Sequence, residues 1–311
     1  MPFAPKVLSD EDLKALGLGP KDIVEAISKA IRDKAAGRLI TTPKSVIQPG
    51  DGRYMMSTLA TGEGPDVTVV KAVTVCPDNP ARGLPSITGA IMVLDAHTGE
   101  CLALMDAEWI TGVRTAGLSA VAAGPLADPQ SKVMSFVGCG VQARSHLELF
   151  AGLYPLKEIR LSGRGQANID ALCEMAEGLG LTAKVCETPD QALDGADIVV
   201  SSITITYSGA PFLDARLMKP GALAIVTDAA KPWMRETFDA FETVVVDDRE
   251  QEENMPDPVV PPAQIAADLT ELLDKGITLG QGPRAFMFRG IAAGDYALAA
   301  RLWMACGGRP S

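Results

Sequence analysis

The sequence lacks several features on which whole classes of function depend. It has no uninterrupted apolar run near the roughly 20 residues of a membrane span, and residues 1–12 show no basic-then-apolar pattern of a secretion signal. It has only two histidines, His97 and His146, and its six cysteines form no C-x-x-C pair. We therefore expect no membrane span, no metal site and no disulfide framework, and we interpret the chain as a protein of the reducing cytoplasm.

Positive charge is also scarce. Lysine and arginine together number 28 against 39 aspartates and glutamates, which gives a net charge of −11. Because such a chain is repelled by phosphate backbones and anionic lipid, we expect neither nucleic acid nor a membrane surface as a partner. Hydrophobic residues make up 47% of the 311 residues, enough for one large or two ordinary folded domains and too many for a disordered chain.

Two segments with different patterns of predicted strands and helices indicate two domains. The N-terminal third begins with a helical pattern and continues with strand-like runs joined by a hairpin connection at 95–100, which predicts an α+β unit with a mostly antiparallel sheet. These predicted strands span residues 44–48, 54–59, 67–76, 87–94 and 101–105. After a helical stretch at 107–126, short apolar runs alternate with helical segments, which predicts βαβ units and a parallel sheet.

The parallel-sheet strands are predicted at 133–137, 159–162, 183–186, 198–202, 222–226 and 244–246. The fold class is therefore α/β, with one domain formed by residues 1–118 together with 284–311 and the other by residues 119–283. A final helical tract at 290–306 is expected to return to the first domain.

The strongest local motif follows the first of these strands. An apolar strand, the sequence G-x-G-x-x-A from Gly138 to Ala143, and a helix succeed one another directly. Gly138 permits a tight turn, Gly140 lets the backbone approach a pyrophosphate, and Ala143 permits close helix packing. This arrangement predicts a Rossmann dinucleotide-binding domain.

The residues expected to contact the ribose do not distinguish NAD(H) from NADP(H). The second strand ends at Ser162-Gly163-Arg164, where an acidic residue would favour an unphosphorylated 2′-hydroxyl. Three roles are open for Arg164. Its guanidinium would bind a 2′-phosphate, stack on adenine, or lie in a solvated loop without a ligand. NAD(H) and NADP(H) therefore both stay open as cofactors.

Several further stretches, taken together, resemble one known family. They are Lys71-Ala72-Val73, Pro77-Asp78-Asn79, Gly83-Leu84-Pro85-Ser86, Asp95-Ala96-His97-Thr98-Gly99, Thr111-Gly112-Val113-Arg114-Thr115-Ala116, Gly138-Cys139-Gly140-Val141-Gln142-Ala143, Asp228-Ala229-Ala230-Lys231, and Gly290-Ile291-Ala292 before Asp295. Their order and content resemble the ornithine cyclodeaminase/mu-crystallin family over most of the chain from about residue 40 onward.

The resemblance implies a homodimer with a substrate-binding and dimerisation domain, a Rossmann domain that binds NAD(P), and a small anionic amino or imino acid as substrate. It implies that the dinucleotide contacts Ser86, Arg114, Val141, Gln142, Thr204 and Lys231. It places Lys44, Lys71 and Asp228 toward the substrate, with Arg114 close to both ligands.

The residues themselves support three of these positions. Lys71 lies in the almost wholly apolar run 67–75, where a lysine must snorkel, pair or serve a site. Arg114 interrupts a helical segment of small residues, which allows a ligand to approach closely. Asp228 follows an apolar strand at its carboxyl end, where α/β folds bind ligands.

The motifs also depart from the family pattern. The family commonly has Asp-x-x-Gly-Lys where this chain has Asp228 to Lys231, one residue shorter. Arg53 follows shortly after Pro43-Lys44, as in the alanine-dehydrogenase branch, and Arg289 stands beside a position that is often serine in the family.

The number of candidate cations suggests a substrate with two carboxylates. One carboxylate needs one bidentate guanidinium, whereas Lys44, Arg53, Lys71, Arg114 and Arg289 together make five cations. The hypothesis is reduction of iminosuccinate to aspartate, with Lys44 and Arg53 on the α-carboxylate and Arg289 on the distal one. Asp228 is the expected proton-handling residue for the imine nitrogen, with Lys71 as the competing acid.

Three alternatives accompany this hypothesis. An alanine dehydrogenase would act on the smaller imine of pyruvate, and the same groups would oxidise an amino acid in the reverse direction. A cyclodeaminase-type lyase would keep NAD tightly bound and release ammonia from ornithine. A ligand-binding, crystallin-like role would not need Lys71, Arg114 and Asp228 together.

Overall fold

The computed structural model describes residues 3–308 and divides the chain into two compact units. Unit 1 holds the chain up to Arg114 and again from Gly290, and unit 2 runs from Thr115 to Arg289. The predicted boundary at 283/284 is wrong, because residues Arg284–Met287 form a strand in the sheet of unit 2. The earlier boundary falls within a helix at Arg114/Thr115 instead of at 118/119.

Unit 1 is an α+β structure, as predicted. Its elements up to the end of its first segment are β1 (Lys6–Leu8), α1 (Asp10–Ala15), α2 (Pro20–Ala35), β2 (Leu39–Thr41), β3 (Ser45–Ile47), β4 (Tyr54–Gly62), β5 (Val67–Val75), β6 (Ile87–Asp95), β7 (Cys101–Asp106) and the start of α3 (Glu108–Leu126). The sheet order is β1-β7-β6-β5-β4-β2, with β3 also pairing with β4, and every pair except β1–β7 is antiparallel.

The pairing register of this sheet gives it two faces of different character. One cross-strand row, on β4, β5, β6, β7 and β1 in turn, is wholly buried and consists of Thr58, Lys71, Ile91, Met105 and Leu8. The adjacent row points to the opposite face because side chains alternate along a strand. That row consists of Leu59, Val70, Met92, Leu104 and Val7, all apolar and all at least partly exposed.

Unit 2 is a parallel α/β structure. After α3 it contains β8 (Val133–Val137), α4 (Val141–Ala151), β9 (Glu158–Ser162), α5 (Gln166–Gly178), β10 (Thr182–Val185), α6 (Pro189–Leu193), β11 (Ile198–Ser201), β12 (Leu223–Val226), β13 (Thr243–Val246), α7 (Arg249–Glu253), β14 (Ile265–Asp268), α8 (Leu269–Asp274) and β15 (Arg284–Met287). All eight strands are parallel, in the order β10-β9-β8-β11-β12-β15-β13-β14.

The strand order places a switch point at β8. The chain builds outward from β8 through β9 to β10, and then returns to pair β11 on the other side of β8. In such sheets the crevice at the carboxyl ends of the strands binds ligands. The predicted Rossmann arrangement is therefore confirmed. The Gly138 turn follows β8, which is the first strand of this sheet in the chain.

The last helix, α9 (Ala292–Ala305), belongs to unit 1. It packs against α2 and against β4 and β5 on the buried face of the sheet. Nearly all of its side chains are buried, including Asp295, which is 1% exposed. In residues 3–308 no helix combines the length and the hydrophobicity that a membrane crossing requires.

Candidate functional site

The glycine-rich turn in unit 2 has the geometry that the motif predicts. Gly138 has a φ of 95°, and a Cβ atom there would lie 2.6 Å from the carbonyl oxygen of Ser202. Only glycine tolerates both conditions without strain. The Gly138 N–H donates to the Ser162 carbonyl at 2.8 Å, and this bond ties the turn to the end of β9.

Neither the backbone conformation nor the packing requires a glycine at Gly140. Its φ of −80° suits any residue, and a Cβ atom there would meet no protein atom within 4 Å. Gly140 is also the N-cap of α4, and no side chain caps this helix end. The first N–H groups of α4 consequently lack an intrahelical partner and face a space that a side chain would fill, which is the geometry of an anion cradle.

The position that the sequence predicts to contact the ribose lies beside an exposed arginine. A Cβ atom at Gly163 would lie 2.9 Å from Cys139 Sγ, and Cys139 is itself buried, so this position leaves no room for an acidic side chain. Next to it, Arg164 is exposed and makes no hydrogen bond or ion pair with any residue of the described range 3–308. Arg144 Nη1 donates to Asn168 Oδ1 at 3.2 Å in the following helix.

Asp228 lies just past the carboxyl end of β12 and is 1% exposed. Its carboxylate accepts hydrogen bonds from Ser201 Oγ at 3.2 Å and from the Ile203 N–H at 3.1 Å. Trp233 Nε1 donates in turn to Ser201 Oγ at 2.9 Å. Burial raises the pKa of the Asp228 carboxyl to about 7, against the effect of these hydrogen bonds. The group therefore titrates near neutral pH, which suits proton transfer.

The residues after Asp228 have a strained backbone. Ala229 and Ala230 have φ values of 53° and 55°, in the left-handed region that costs a non-glycine residue energy. This turn is where the chain is one residue shorter than the resembling motif, and it brings the Ala230 N–H to the Asp228 carboxylate. Lys231, which follows, is exposed, as is Thr204 after β11.

In unit 1, a buried cluster of charges surrounds Asp295 of α9. Lys71 Nζ donates to Asp295 Oδ1 at 2.6 Å, and Arg114 Nε lies 3.1 Å from the same oxygen. Thr58 Oγ1 donates to the other oxygen at 2.9 Å. The Lys71 side chain is 0% exposed and the Arg114 side chain is 6% exposed. Two cations thus share a single carboxylate in a site almost closed to solvent.

The charges of this cluster shift one another's pKa values. Burial, together with the neighbouring Arg114 guanidinium, lowers the pKa of Lys71 to about 8, although Asp295 opposes the shift. Burial acts to raise the pKa of Asp295, but the charges of Lys71 and Arg114 outweigh it and hold that pKa below its ordinary value. Lys71 and Arg114 thus both act on the one carboxylate of Asp295.

Comparison with known proteins identifies the family. The model of the ornithine cyclodeaminase/mu-crystallin family matches residues 6–272, most of the chain. The chain belongs to the ornithine cyclodeaminase/mu-crystallin family. It is 29% identical over 313 aligned residues, 97% of each chain, to the ketimine reductase mu-crystallin of Macropus fuliginosus.

Two Δ1-pyrroline-2-carboxylate reductases are also similar to this family member. The Burkholderia multivorans reductase 1 is 30% identical over 282 residues, which is 88% of each chain. The structure of the Thermococcus litoralis reductase, solved with NADH and L-proline, superposes with a TM-score of 0.89 at 25% identity over 97% of each chain. The expected family membership and fold are thus confirmed.

Of the remaining predicted site residues in unit 1, none has the burial of Lys71 or Arg114. Lys44 is half-buried and its charge contributes to lowering the pKa of Lys71. Arg53 is exposed, and its Nη2 lies 2.7 Å from Asp51 Oδ2, so its charge is already compensated. Ser86 is half-buried, and its carbonyl accepts from the Cys76 N–H at 2.7 Å.

Arg289 is also paired within its own unit. Its Nε donates to Glu252 Oε2, and its Nη2 donates to the carbonyl of Asp257 at 2.8 Å. The Glu252 side chain is only 3% exposed, so this is a largely desolvated ion pair. The expectation that Arg289 binds a distal substrate carboxylate stays a prediction, and such a carboxylate would have to compete with Glu252 for this guanidinium.

The two histidines have structural positions. His146 in α4 is 0% exposed, with Nδ1 2.7 Å from the Gln142 carbonyl and Nε2 2.9 Å from Ser119 Oγ, and burial lowers its pKa to about 4. His97 lies in the turn between β6 and β7, where its N–H donates to Asp95 Oδ1. Among residues 3–308 no group of three or more potential ligands could hold a metal ion.

The role of Asp295 as the partner of Lys71 and Arg114 was not predicted from the sequence. The signal was an acidic residue in an otherwise apolar helical tract, the counterpart of Lys71 in its apolar strand. Two unlike charges that are each isolated in apolar segments are expected to meet, because neither can be buried without a partner.

Proposed function

We propose that this chain reduces a small imino acid to an L-amino acid with a nicotinamide dinucleotide, NAD(H) or NADP(H). Three similar proteins support the proposal, since they are named as ketimine and pyrroline-2-carboxylate reductases and one was solved with NADH and L-proline. The reaction is reversible in principle, so the same site would oxidise the amino acid.

One observation carries the proposal, the turn from Gly138 to Val141. Gly140 has neither a backbone nor a packing reason to be glycine, so the space beside it is explained by a ligand that approaches the main chain. Gln142 in the first turn of α4 has a buried side-chain oxygen without a hydrogen-bond partner in the described chain. The open space and the first N–H groups of α4 fit the pyrophosphate of a dinucleotide, whose reduced nicotinamide supplies a hydride when bound. The Gln142 oxygen is an acceptor and would need a donor group of the same ligand.

Several residues would hold this dinucleotide. In unit 2 we assign the role to the open-turn glycines and the residues around them, which are Gly138, Gly140, Val141, Gln142, Arg164, Thr204 and Lys231. The dinucleotide contacts that the family pattern implies for Ser86 and Arg114 stay a prediction.

Lys71 and Arg114 would bind the substrate carboxylate. Both cations are buried and both are held by Asp295, so their positions are fixed before a ligand arrives and little entropy is lost on binding. Lys44 would add a weaker attraction from its half-buried position.

Asp228 would handle the proton on the imine nitrogen. A protonated imine accepts a hydride more readily than a neutral one, and an acid with a pKa of about 7 can both supply that proton and stabilise the resulting cation. The Ser201 hydroxyl and the Ile203 N–H hold the carboxyl in one orientation. Lys71 is the alternative donor.

We infer a substrate with one carboxylate in preference to iminosuccinate. A second carboxylate would need further cations, and Arg53 and Arg289 already have Asp51 and Glu252 as ion-pair partners. A cyclic imino acid such as Δ1-pyrroline-2-carboxylate carries one carboxylate and matches the names of the similar reductases.

The exposed face of the unit 1 sheet would form a homodimer. Leu59, Val70, Met92, Leu104 and Val7 make an apolar row across five strands, and Val7 is 73% exposed. Exposed apolar patches of this kind mark protein–protein interfaces. The family resemblance also implies a homodimer.

The test of the proposed function is oxidation of NADH and of NADPH, followed by absorbance with a panel of imino acids. The panel contains Δ1-pyrroline-2-carboxylate, Δ1-piperideine-2-carboxylate, and pyruvate or oxaloacetate with ammonia. We expect turnover with the cyclic imino acids. Release of ammonia from ornithine without net cofactor oxidation, and no turnover of any imino acid, would instead establish a cyclodeaminase.

A further inference from the structure

The hydroxyl of Ser201, the last residue of β11, has a direction that its two partners fix. Trp233 Nε1 lies 2.9 Å from Ser201 Oγ, and an indole N–H can only donate. The single hydrogen of the hydroxyl is therefore left for the other partner, Asp228 Oδ1, at 3.2 Å. All three side chains are at most 1% exposed, so bulk water does not compete for these hydrogen bonds. The indole thus donates to the hydroxyl, and the hydroxyl donates to the carboxyl.

We propose that Trp233 is a positioning residue for Asp228, and that it acts through Ser201 by keeping the Ser201 hydroxyl a donor to the carboxyl. This inference rests on the proposed function, in which Asp228 handles the proton of the imine nitrogen. A hydroxyl that accepts from an N–H is a stronger donor, because hydrogen bonds in a chain polarise one another. It is also kept from accepting the proton of the acid form. The chain of hydrogen bonds therefore favours the ionised carboxyl over the neutral acid.

The strained turn between Asp228 and Trp233 supports this role. Ala229 and Ala230 have φ values of 53° and 55°. Within the turn the Ala230 N–H donates to the Asp228 carboxylate, and the Ala230 carbonyl accepts from the Trp233 N–H at 3.0 Å. Strain of this kind persists only where the surrounding contacts fix it. Here it brings an aspartate and a tryptophan onto the same hydroxyl, that of Ser201.

The charged side chains nearest to Asp228 give no alternative control of its carboxyl. β12, which precedes Asp228, lies between β11 and β15. Residues 202–213, which follow β11, include no charged side chain. After β15, Arg289 is paired with Glu252, and in the turn after Asp228 the Lys231 side chain is exposed. Burial and hydrogen bonds accordingly have the largest effects on the pKa of Asp228.

The first test follows the indole N–H groups of ¹⁵N-labelled protein by NMR between pH 5 and pH 9. The chain has three tryptophans, so Trp109→Phe and Trp303→Phe assign the remaining indole resonance to Trp233. We expect this resonance to titrate with the pKa of the Asp228 carboxyl, about 7, and to be independent of pH in Asp228→Asn and in Ser201→Ala. Trp303 Nε1 has no hydrogen-bond partner among residues 3–308, so its resonance is the internal control and should show no such step.

The second test is the pH profile of imine reduction, which a purely structural tryptophan would not move. Protonation of the imine needs the acid form of Asp228, so kcat/KM should fall as this group ionises. Ser201→Ala removes a hydrogen bond to the ionised form and should move this fall up by about one pH unit. Trp233→Phe should move it in the same direction by less, and should add nothing in the Ser201→Ala background. Trp303→Phe is the matched control and should leave the profile unchanged.

The outcomes separate this inference from the proposed function. A Trp233 resonance that does not change with pH, or a Ser201→Ala profile that matches the wild type, overturns the inference and leaves the proposed function standing. If Trp233→Phe does not fold, the resonances of the wild type and of Ser201→Ala still decide. If the wild type reduces no imino acid while the Trp233 resonance titrates as expected, the proposed function is wrong and the chain of hydrogen bonds to Asp228 is supported.

Discussion

At the scale of single residues, burial determines the chemistry of the charged groups. Asp228 and Lys71 are both almost inaccessible to solvent, and burial shifts the pKa of each toward neutrality from opposite sides, to about 7 and about 8. Groups of this kind are typical of functional sites because they change protonation at physiological pH. Burial of Asp228 and Lys71 also lowers the stability of the fold, because the charged form of each group is less favourable in the folded chain than in water.

Asp228 should therefore destabilise the protein as the pH rises. Its pKa is higher in the folded chain, about 7, than the ordinary 3.8, so between these values the folded state binds a proton that the unfolded state has lost. Stability consequently falls from pH 5 to pH 8. The difference in unfolding free energy between Asp228→Asn and the wild type should change by about 3 kcal/mol in favour of the variant over this range.

Urea unfolding of both proteins at pH 5, 6.5 and 8 measures this change, and imine reduction by the variant should be lost in the same preparations. A difference that is constant with pH would show that Asp228 keeps an ordinary pKa. Ser135→Ala, which alters another buried polar side chain without adding or removing a charge, is the control and should show no pH-dependent difference.

Arg164 should select the phosphorylated cofactor. Its guanidinium is exposed and unpaired in the described chain, and the contact between Gly163 and Cys139 leaves no room for the acid that would read a free 2′-hydroxyl. Arg164→Ala should weaken NADP⁺ binding about tenfold or more and leave NAD⁺ binding within about twofold. Calorimetric titration of 2′,5′-ADP against ADP isolates the effect of the phosphate, and equal losses for both ligands would contradict this role.

Single residues differed in how well the sequence predicted them. Lys71 and Asp228 were found because one charge stood in an apolar strand and the other stood at a strand end, and both signals are local. The role of Asp295 was not found, because its partners Lys71 and Arg114 are distant in the chain and helical spacing does not predict which strand α9 covers. The ion pairs of Arg53 with Asp51 and of Arg289 with Glu252 were not predicted, because sequence does not reveal which charged side chains meet.

At the scale of elements, the start of α4 is the best-defined part of the candidate cofactor site. Its two glycines have different roles, since Gly138 serves the backbone and Gly140 serves a ligand. The helix dipole and the free N–H groups of the first turn add positive potential where a pyrophosphate would lie. Within this short motif we thus expect Gly138 to be required for folding and Gly140 for ligand binding.

Alanine substitutions should separate these two requirements. Gly140→Ala should lower the unfolding free energy by less than about 1 kcal/mol, because its φ suits alanine and no protein atom is displaced. The same change should weaken dinucleotide binding at least about tenfold, because the methyl group occupies the ligand's space.

Gly138→Ala is the matched comparison and should cost about 3 kcal/mol or more, from its positive φ and the contact with Ser202. Chemical denaturation and calorimetry with NADP⁺ measure both quantities. Dinucleotide affinity that is unaffected by Gly140→Ala would remove the main support for the proposed function.

Strands with local signals were predicted well, and strands without them were not. The predicted 133–137 run coincides with Val133–Val137, and the hairpin between β6 and β7 was correct because turn residues mark it. The strands Ile265–Asp268 and Arg284–Met287 were missed because each contains a charged residue and at most one β-branched residue. Equally short strands such as Thr243–Val246 were predicted because they are rich in β-branched residues.

At the scale of the whole molecule, overall charge and local charge give different information. The chain carries −11, which disfavours polyanionic partners on electrostatic grounds, yet in unit 1 two buried cations share one carboxylate. The negative net charge therefore disfavours polyanionic partners, whereas the buried cations of unit 1 indicate a small anionic ligand.

The exposed sheet face should hold two copies of the chain together. Val70→Asp places a charge in the middle of the apolar row, and light scattering after gel filtration should show the mass of one chain instead of two. Leu179→Asp alters a residue of similar type in unit 2 that is 43% exposed and does not belong to the apolar row, and this variant should remain dimeric. A monomeric wild type, or a dimeric Val70→Asp, would contradict this interface.

The most direct test of the account is to follow the transferred hydrogen. The chain is incubated in ordinary water with Δ1-pyrroline-2-carboxylate and NADPH or NADH that carries deuterium on both hydrogens at C4 of the nicotinamide. We predict L-proline with one deuterium on its α-carbon, detected by mass spectrometry and NMR. Proline without deuterium, or no proline while ornithine yields ammonia, would contradict hydride transfer to an imino acid.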